Sequence, residues 1–235
     1  MDMQISGSGN IPAGEYENIR ISGSGSLCGH VKCTSLRVSG SSHGESIVCS
    51  QDIRISGSTH MEKDVQAADL HVSGSLNCGG NLTVQNEISL SGGMHCEKNI
   101  KCGTLYVSGG ITANANIEAE TATINGGICC DGLLNAEQIQ IKLEGVGKSS
   151  IGSIGCSRLS VEKRKIKKLF GRRKKGILSV KNDIEGDEIY VEYVTCPRVS
   201  GRTVKVGKGC EIELLQYSDS YEIHEKAKIG RIEKI

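Results

Sequence analysis

Residues 47–74 read Ile47-Val48-Cys49-Ser50-Gln51-Asp52-Ile53-Arg54-Ile55-Ser56-Gly57-Ser58-Thr59-His60-Met61-Glu62-Lys63-Asp64-Val65-Gln66-Ala67-Ala68-Asp69-Leu70-His71-Val72-Ser73-Gly74. Two copies of one pattern lie end to end here. Val48-Ser50-Ile53-Ile55 answers Val65-Ala67-Leu70-Val72, and each copy closes on Ser-Gly. Aliphatic residues separated by one residue are the alternation of a strand with one buried face. A Ser-Gly pair marks a turn, where glycine accepts backbone angles that other residues avoid. One period is too short for a helix plus strands. It suits three short strands and three corners.

The same beat runs outward in both directions. A Ser-Gly or Asn-Gly pair after an aliphatic residue ends at Gly7, Gly23, Gly40, Gly57, Gly74, Gly92, Gly109 and Gly126. Successive marks are 16, 17, 17, 17, 18, 17 and 17 residues apart. The internal signature recurs at Val31-Cys33-Leu36-Val38, Ile100-Cys102-Leu105-Val107, Ile117-Ala119-Ala122-Ile124, Leu134-Ala136-Ile139-Ile141 and Ile154-Cys156-Leu159-Val161. One extra residue before Ile88-Leu90 accounts for the spacing of 18 and reads as a bulge. Repetition at a fixed short period is the mark of a solenoid. The expected fold is therefore all-β: a right-handed parallel β-helix, a triangular solenoid of about 17 residues per coil.

Composition agrees. Aromatics make up 3% of the 235 residues, with one Phe and no Trp, while Gly reaches 31 and Pro only 2. A thin core of small and medium aliphatic side chains, repeated along an axis, fits these numbers better than one large globular core. Disorder is disfavoured, because disordered chains are rich in Pro and poor in aliphatics. The alternating residues Arg37, Arg54, His71, Tyr106 and Gln140 are expected to face water.

The pattern resumes at Ile184-Gly186-Ile189-Val191 and Val199-Gly201-Val204-Val206. Ile154 and Ile184 stand 30 residues apart, which is one coil plus about 13 residues. The expected organisation is coils over residues 1–161, a basic inserted loop over 162–176, and further coils with a C-terminal cap over 177–235. The whole chain has a net charge of +1, but residues 162–175 alone carry +8, leaving about −7 elsewhere.

The inserted stretch is the candidate binding site: Lys163, Arg164, Lys165, Ile166, Lys167, Lys168, Leu169, Phe170, Arg172, Arg173, Lys174 and Lys175. Ile166, Leu169 and Phe170 fall at helical spacing and would share one face at a surface. The single Phe of the chain is placed among charges. That combination suits an anionic membrane, where basic residues are attracted to the headgroups and the apolar trio dips into the interface. Nucleic acid and a protein partner are the competing occupants, and a solvated loop with no partner is the plain alternative.

Several chemical motifs are weaker. Gly145-Val146-Gly147-Lys148-Ser149 resembles the end of a phosphate-binding loop, but Lys142 stands where the motif requires Gly. His43, His60 and His95 share one phase of the repeat, with Asn77 between them, and read as a polar ladder or a metal site. Cys33, Cys102 and Cys156 share the small inward column with Ala67, Ala119 and Ala136 and read as small hydrophobes. No catalytic residue, cofactor or metal ligand is singled out. The first ten residues show neither a basic start nor an apolar run, and the eleven cysteines read as reduced thiols. A cytoplasmic protein, peripheral on the inner membrane face, is the expectation.

The beat, the Ser-Gly corners and this composition together resemble the bactofilins, bacterial polymer-forming cytoskeletal proteins. The resemblance covers residues 3–161, and Ile184-Glu185-Gly186-Asp187-Glu188-Ile189 resembles a longer branch of that family. It implies a non-enzymatic scaffold that assembles end to end without nucleotide and supports cell shape, motility or the placing of client proteins. Two other classes fit the repeat less closely. One is a nonpolymerising β-helix adaptor. The other is a left-handed β-helix acyltransferase, echoed by Ile151-Gly152-Ser153-Ile154 but requiring equal six-residue steps.

Overall fold

The computed structural model describes residues 1–143, 148–163 and 176–235. The described residues form strands and turns with no helix, and every strand pairing is parallel across each of the two compact units, Met1–Ile117 and Glu118–Ile235. The expected all-β solenoid is the observed fold.

In the first unit the early strands, such as Ser24–Val38, run on around corners, and from Ser58 to Val107 each turn contributes three strands. One turn consists of Ser58–Met61, Val65–Ala67 and Asp69–Val72, and the next of Ser75–Cys78, Leu82–Val84 and Glu87–Leu90. Each strand lies in register with its equivalent one turn on: Thr59 opposite Leu76, Val65 opposite Leu82, and Leu70 opposite Ile88. Period-two alternation sends the aliphatic residues inward, where equal positions stack into columns. The column Ile19, Leu36, Ile53, Leu70, Ile88 and Leu105 is buried throughout, as is Ile21, Val38, Ile55, Val72, Leu90 and Val107. Each such side chain contributes about 1.5–3 kcal/mol of hydrophobic stabilisation. This repetition replaces the aromatic centre that the sequence lacks.

Three details of the repeat differ from the expectation. Ile47 and Cys49, not Val48 and Ser50, point inward, because Ile47 pairs with Val31 below and Val65 above. The extra residue near Ile88 is not a bulge. It lengthens the corner Gln85–Asn86, where the preceding turn uses Ala68 alone. The third concerns the Ser-Gly corners. Their glycines are not in the left-handed region, which among the described glycines holds only Gly29 and Gly209. They are required by close approach: a Cβ on Gly40 would lie 2.0 Å from the Gly23 carbonyl oxygen, and one on Gly57 would lie 1.8 Å from that of Gly40. Those oxygens in turn accept the next turn's amides, Ser41 N–H to Gly23 and Ser58 N–H to Gly40, each at 2.9 Å.

The second unit keeps the columns but varies the turns. Its longer strands, Gly127–Leu143, Lys148–Lys163, Asp183–Val191, Val194–Val206 and Glu211–Ile223, bend around corners without losing their pairing. Ile139, Leu159, Ile189 and Val204 stack as one buried column. Ile154 lies opposite Ile184 and Val161 opposite Val191, so the 30-residue interval changes nothing in the core. Lys148–Lys163 and Ile177–Val180 both stay in the ladder, with Lys148 opposite Ile177. Lys228–Lys234 pairs with Glu211–Tyr217, and among the described residues it has no strand on its other side. Ile232 and Ile235 there are 41% and 64% exposed.

Candidate functional site

The basic stretch begins at Lys163, the last residue of its strand. Arg164, Lys165, Ile166, Lys167, Lys168, Leu169, Phe170, Arg172, Arg173, Lys174 and Lys175 lie outside the described residues. The stem they depart from is well defined. The Lys163 ammonium sits 5.0 Å from the centre of the Tyr193 ring, and Lys208 lies 6.0 Å from the same ring. A cation over a ring face is attracted by its quadrupole. Glu192, 14% exposed at its side chain, ties the group together. It accepts the Lys163 backbone N–H at 3.3 Å and the Tyr190 hydroxyl at 3.2 Å, and it pairs with Lys208 at 3.3 Å.

Tyr193 is the single non-glycine residue with a positive φ among those described, at 53°. Such a backbone costs about 1–2 kcal/mol in an ordinary residue. Gly209 permits it from the next turn, since a Cβ there would stand 2.6 Å from the Tyr193 ring. Tyr193 N–H donates to the Lys208 carbonyl, and its own carbonyl accepts from Leu178, each at 3.1 Å. The corner is thus fixed from both neighbouring turns, directly beside the point where the basic stretch leaves.

On an outward face of this unit lies a groove of about 650 Å³. Gln138, Arg158, Glu188 and Thr203 form one in-register column along it, and Gln140, Ser160, Tyr190 and Lys205 form the other. Burial first, then the neighbouring Glu192 carboxylate, raises the Tyr190 hydroxyl above its ordinary pKa. Elsewhere in this unit, Arg198 bridges Asp183, at 2.7 Å, and Glu185. That guanidinium holds the Asp183 carboxyl below the usual range, helped by a hydrogen bond involving Ser153.

The first unit carries outward ladders of its own. His43, His60, Asn77 and His95 occupy one column, as their phase implies. The His43 and His60 rings stack at 5.2 Å, His43 bonds Glu62 at 3.0 Å and His95 bonds Glu97 at 2.8 Å. Among the described residues no three His, Cys, Asp or Glu side chains gather as metal ligands would. The cysteines are all free thiols. Cys33 faces Cys49 and Cys78 faces Cys96 in adjacent turns. Burial alone pushes the Cys102 thiol up to about 12, which keeps it protonated and unreactive.

A second column was not singled out in the sequence, although its members stand one period apart. Gln4, Arg20, Arg37, Arg54 and His71 stand directly opposite one another on successive turns. The alternation places each of them outward, and the register bears out the alignment of the three arginines that their spacing of 17 implies.

Comparison with known proteins gives two relatives, both from Bacillus subtilis (strain 168). The uncharacterized protein YhbE is 35% identical over 104 residues, 44% of each chain. The uncharacterized protein YhbF is 33% identical over 104 residues, 44% of this chain and 42% of YhbF. The chain therefore spans less than half the length of these relatives. No family model matches the sequence. No solved structure matches it either.

Proposed function

We propose that this protein, a β-solenoid similar in part to YhbE and YhbF, is a non-enzymatic scaffold of the bactofilin kind. It assembles end to end without nucleotide, lies at the inner face of the cytoplasmic membrane, and holds client proteins in place. The observation that carries this reading is the strand Lys228–Lys234. One of its edges is paired to Glu211–Tyr217, and among the described residues its other edge is free, beside the exposed Ile232. A strand edge with unspent backbone groups and apolar side chains is a template for a further strand. Stacking another solenoid turn on it completes the hydrogen bonds and buries the isoleucines. The basic stretch supplies the membrane contact, held at its root by Lys163, Glu192 and Tyr193.

Negative-stain microscopy of the purified chain without nucleotide tests the assembly. Filaments or sheets are expected, and Ile232→Lys should shorten or abolish them. A parent protein that stays monomeric at high concentration defeats the reading. Vesicle flotation tests the membrane contact: Leu169→Ser with Phe170→Ser should reduce binding to anionic vesicles, and unchanged binding removes the insertion step.

The groove over Gln138, Arg158 and Tyr190 favours a second reading, a nonpolymerising adaptor that seats a partner on this face. Monomers that capture a partner in an Arg158-dependent way would support it over the scaffold.

A further inference from the structure

Arg20, Arg37 and Arg54 lie on the strands Gly14–Ile21, Ser24–Val38 and Asp52–Ile55, each directly opposite the next. Adjacent parallel strands are about 4.8 Å apart. Like charges placed opposite one another in a sheet oppose its formation unless something compensates them. Compensation along this column is uneven. Arg54 is answered within its own strand, its Nε donating to Asp52 at 2.6 Å. The corresponding positions beside Arg20 and Arg37 hold Asn18 and Ser35, which carry no charge.

Those two polar residues are also already engaged. The Ser35 hydroxyl donates to Asn18 Oδ1 at 2.8 Å. Asn18 in turn donates its side-chain amide to Asp2 at 2.9 Å and its backbone N–H to the same oxygen at 3.2 Å. Asp2 is the nearby carboxylate, and its field reaches Arg20. It makes no ion pair with Arg20, and among the described residues neither Arg20 nor Arg37 has one. Both guanidiniums are exposed. Two planar forks therefore stand side by side with their donors unspent. Gln4 adds an amide on the far side of Arg20, and His71 adds an imidazole beyond Arg54.

We propose that Arg20 and Arg37 form a site for a phosphate-bearing anion with at least two linked phosphates, one held by each guanidinium. Arginine's fork matches a phosphate's oxygens two at a time. A single carboxylate offers one planar pair of oxygens and satisfies one fork. Consecutive phosphates of a chain offer oxygens to both, and their charge removes the repulsion between the two side chains. This site lies in the first unit and is independent of the basic stretch and of the scaffold reading.

Titration calorimetry of the full chain with sodium tripolyphosphate tests it, with orthophosphate as the reference. Saturable, salt-sensitive binding is expected, tighter than for orthophosphate. Arg20→Gln and Arg37→Gln should each weaken it about tenfold, the loss of one charge-assisted hydrogen-bonded pair. Arg37→Lys should recover only part of the loss, because it restores the charge without the fork. Arg54→Gln should change it least. A parallel arm uses phosphatidic acid vesicles in a background with Lys174→Gln and Lys175→Gln. Dependence on Arg37 there, with none for tripolyphosphate, overturns the linked-phosphate site, because phosphatidic acid presents single, separate phosphates at a lipid surface. Arg37→Gln leaving both arms unchanged, while circular dichroism shows intact folding, overturns the proposal.

Discussion

The two units build the same core and treat one corner differently. In the first, the strand that ends each turn is followed by Ser-Gly, at Ser39-Gly40, Ser56-Gly57, Ser73-Gly74 and Ser91-Gly92. Those corners pack backbone on backbone, with no room for a Cβ. In the second, Asn125-Gly126 still follows that pattern, but from there the same place in the turn holds Lys142-Leu143, then Glu162-Lys163 before the basic stretch, then Glu192-Tyr193, then Gly207-Lys208. There side chains do the stacking: Lys163 and Lys208 meet Tyr193, and Glu192 holds both strands. A corner sealed by glycine is uniform and admits no insertion. A corner sealed by side chains tolerates turns of 15 to 30 residues and can carry an excursion.

If the cores are equivalent, truncation should cost the same in both units. Leu70→Ala and Leu159→Ala are each expected to destabilise by about 2–5 kcal/mol in denaturant melts. A large difference between them would break the equivalence. The corners should then separate the units. Gly57→Ala or Gly74→Ala is expected to cost about 1–3 kcal/mol or more by overpacking, whereas Gly7→Ala, with open space around its Cβ, should be near neutral. Within the second unit, Gly209→Ala should destabilise by roughly 1–2 kcal/mol, because its φ is +73° and its Cβ would enter the Tyr193 ring. Tyr193→Gly should relieve the backbone and lose the ring's contacts with the lysines, leaving stability nearly unchanged while loosening the root of the basic stretch. Limited proteolysis within that stretch would report the loosening.

The smallest effect is electrostatic. Arg198, chiefly, holds Asp183 below the ordinary carboxylate value of 3.8. A depressed folded pKa means that the pair stabilises the protein above that value and ceases to as pH falls through the lower, folded one. Asp183→Asn should therefore flatten the acid limb of the stability curve below about pH 4 and leave the first unit's melting unchanged.

Much of this fold was legible because its signal is repetition. Eight Ser-Gly or Asn-Gly marks and an aliphatic alternation specify parallel stacked turns without any knowledge of contacts. What escaped were matters of register and reach. Val48 and Ser50 fit the template as well as Ile47 and Cys49 do, and only pairing with Val31 and Val65 decides between them. The corner glycines were expected for their backbone angles, yet the reason for them is the next turn's carbonyl, which no local reading contains. The candidate basic site was visible as charge, while its anchors Glu192, Tyr193 and Lys208 come from turns 29 to 45 residues beyond Lys163. Arg20, Arg37 and Arg54 share the period openly, and a search by column instead of by run would have found them.

The glycine seam also makes the first unit editable in whole steps. Ser75 pairs with Ser58 just as Ser58 pairs with Ser41, and the Gly57 oxygen receives the Ser75 amide just as Gly40 receives that of Ser58. Excising Ser58–Gly74 would join Gly57 to Ser75 and offer each new neighbour the partner it already recognises. Duplicating the same segment would do so again. Such a chain can be lengthened or shortened like a ladder by one rung at a time, and unequal exchange between its own repeats is a ready route to relatives of different reach.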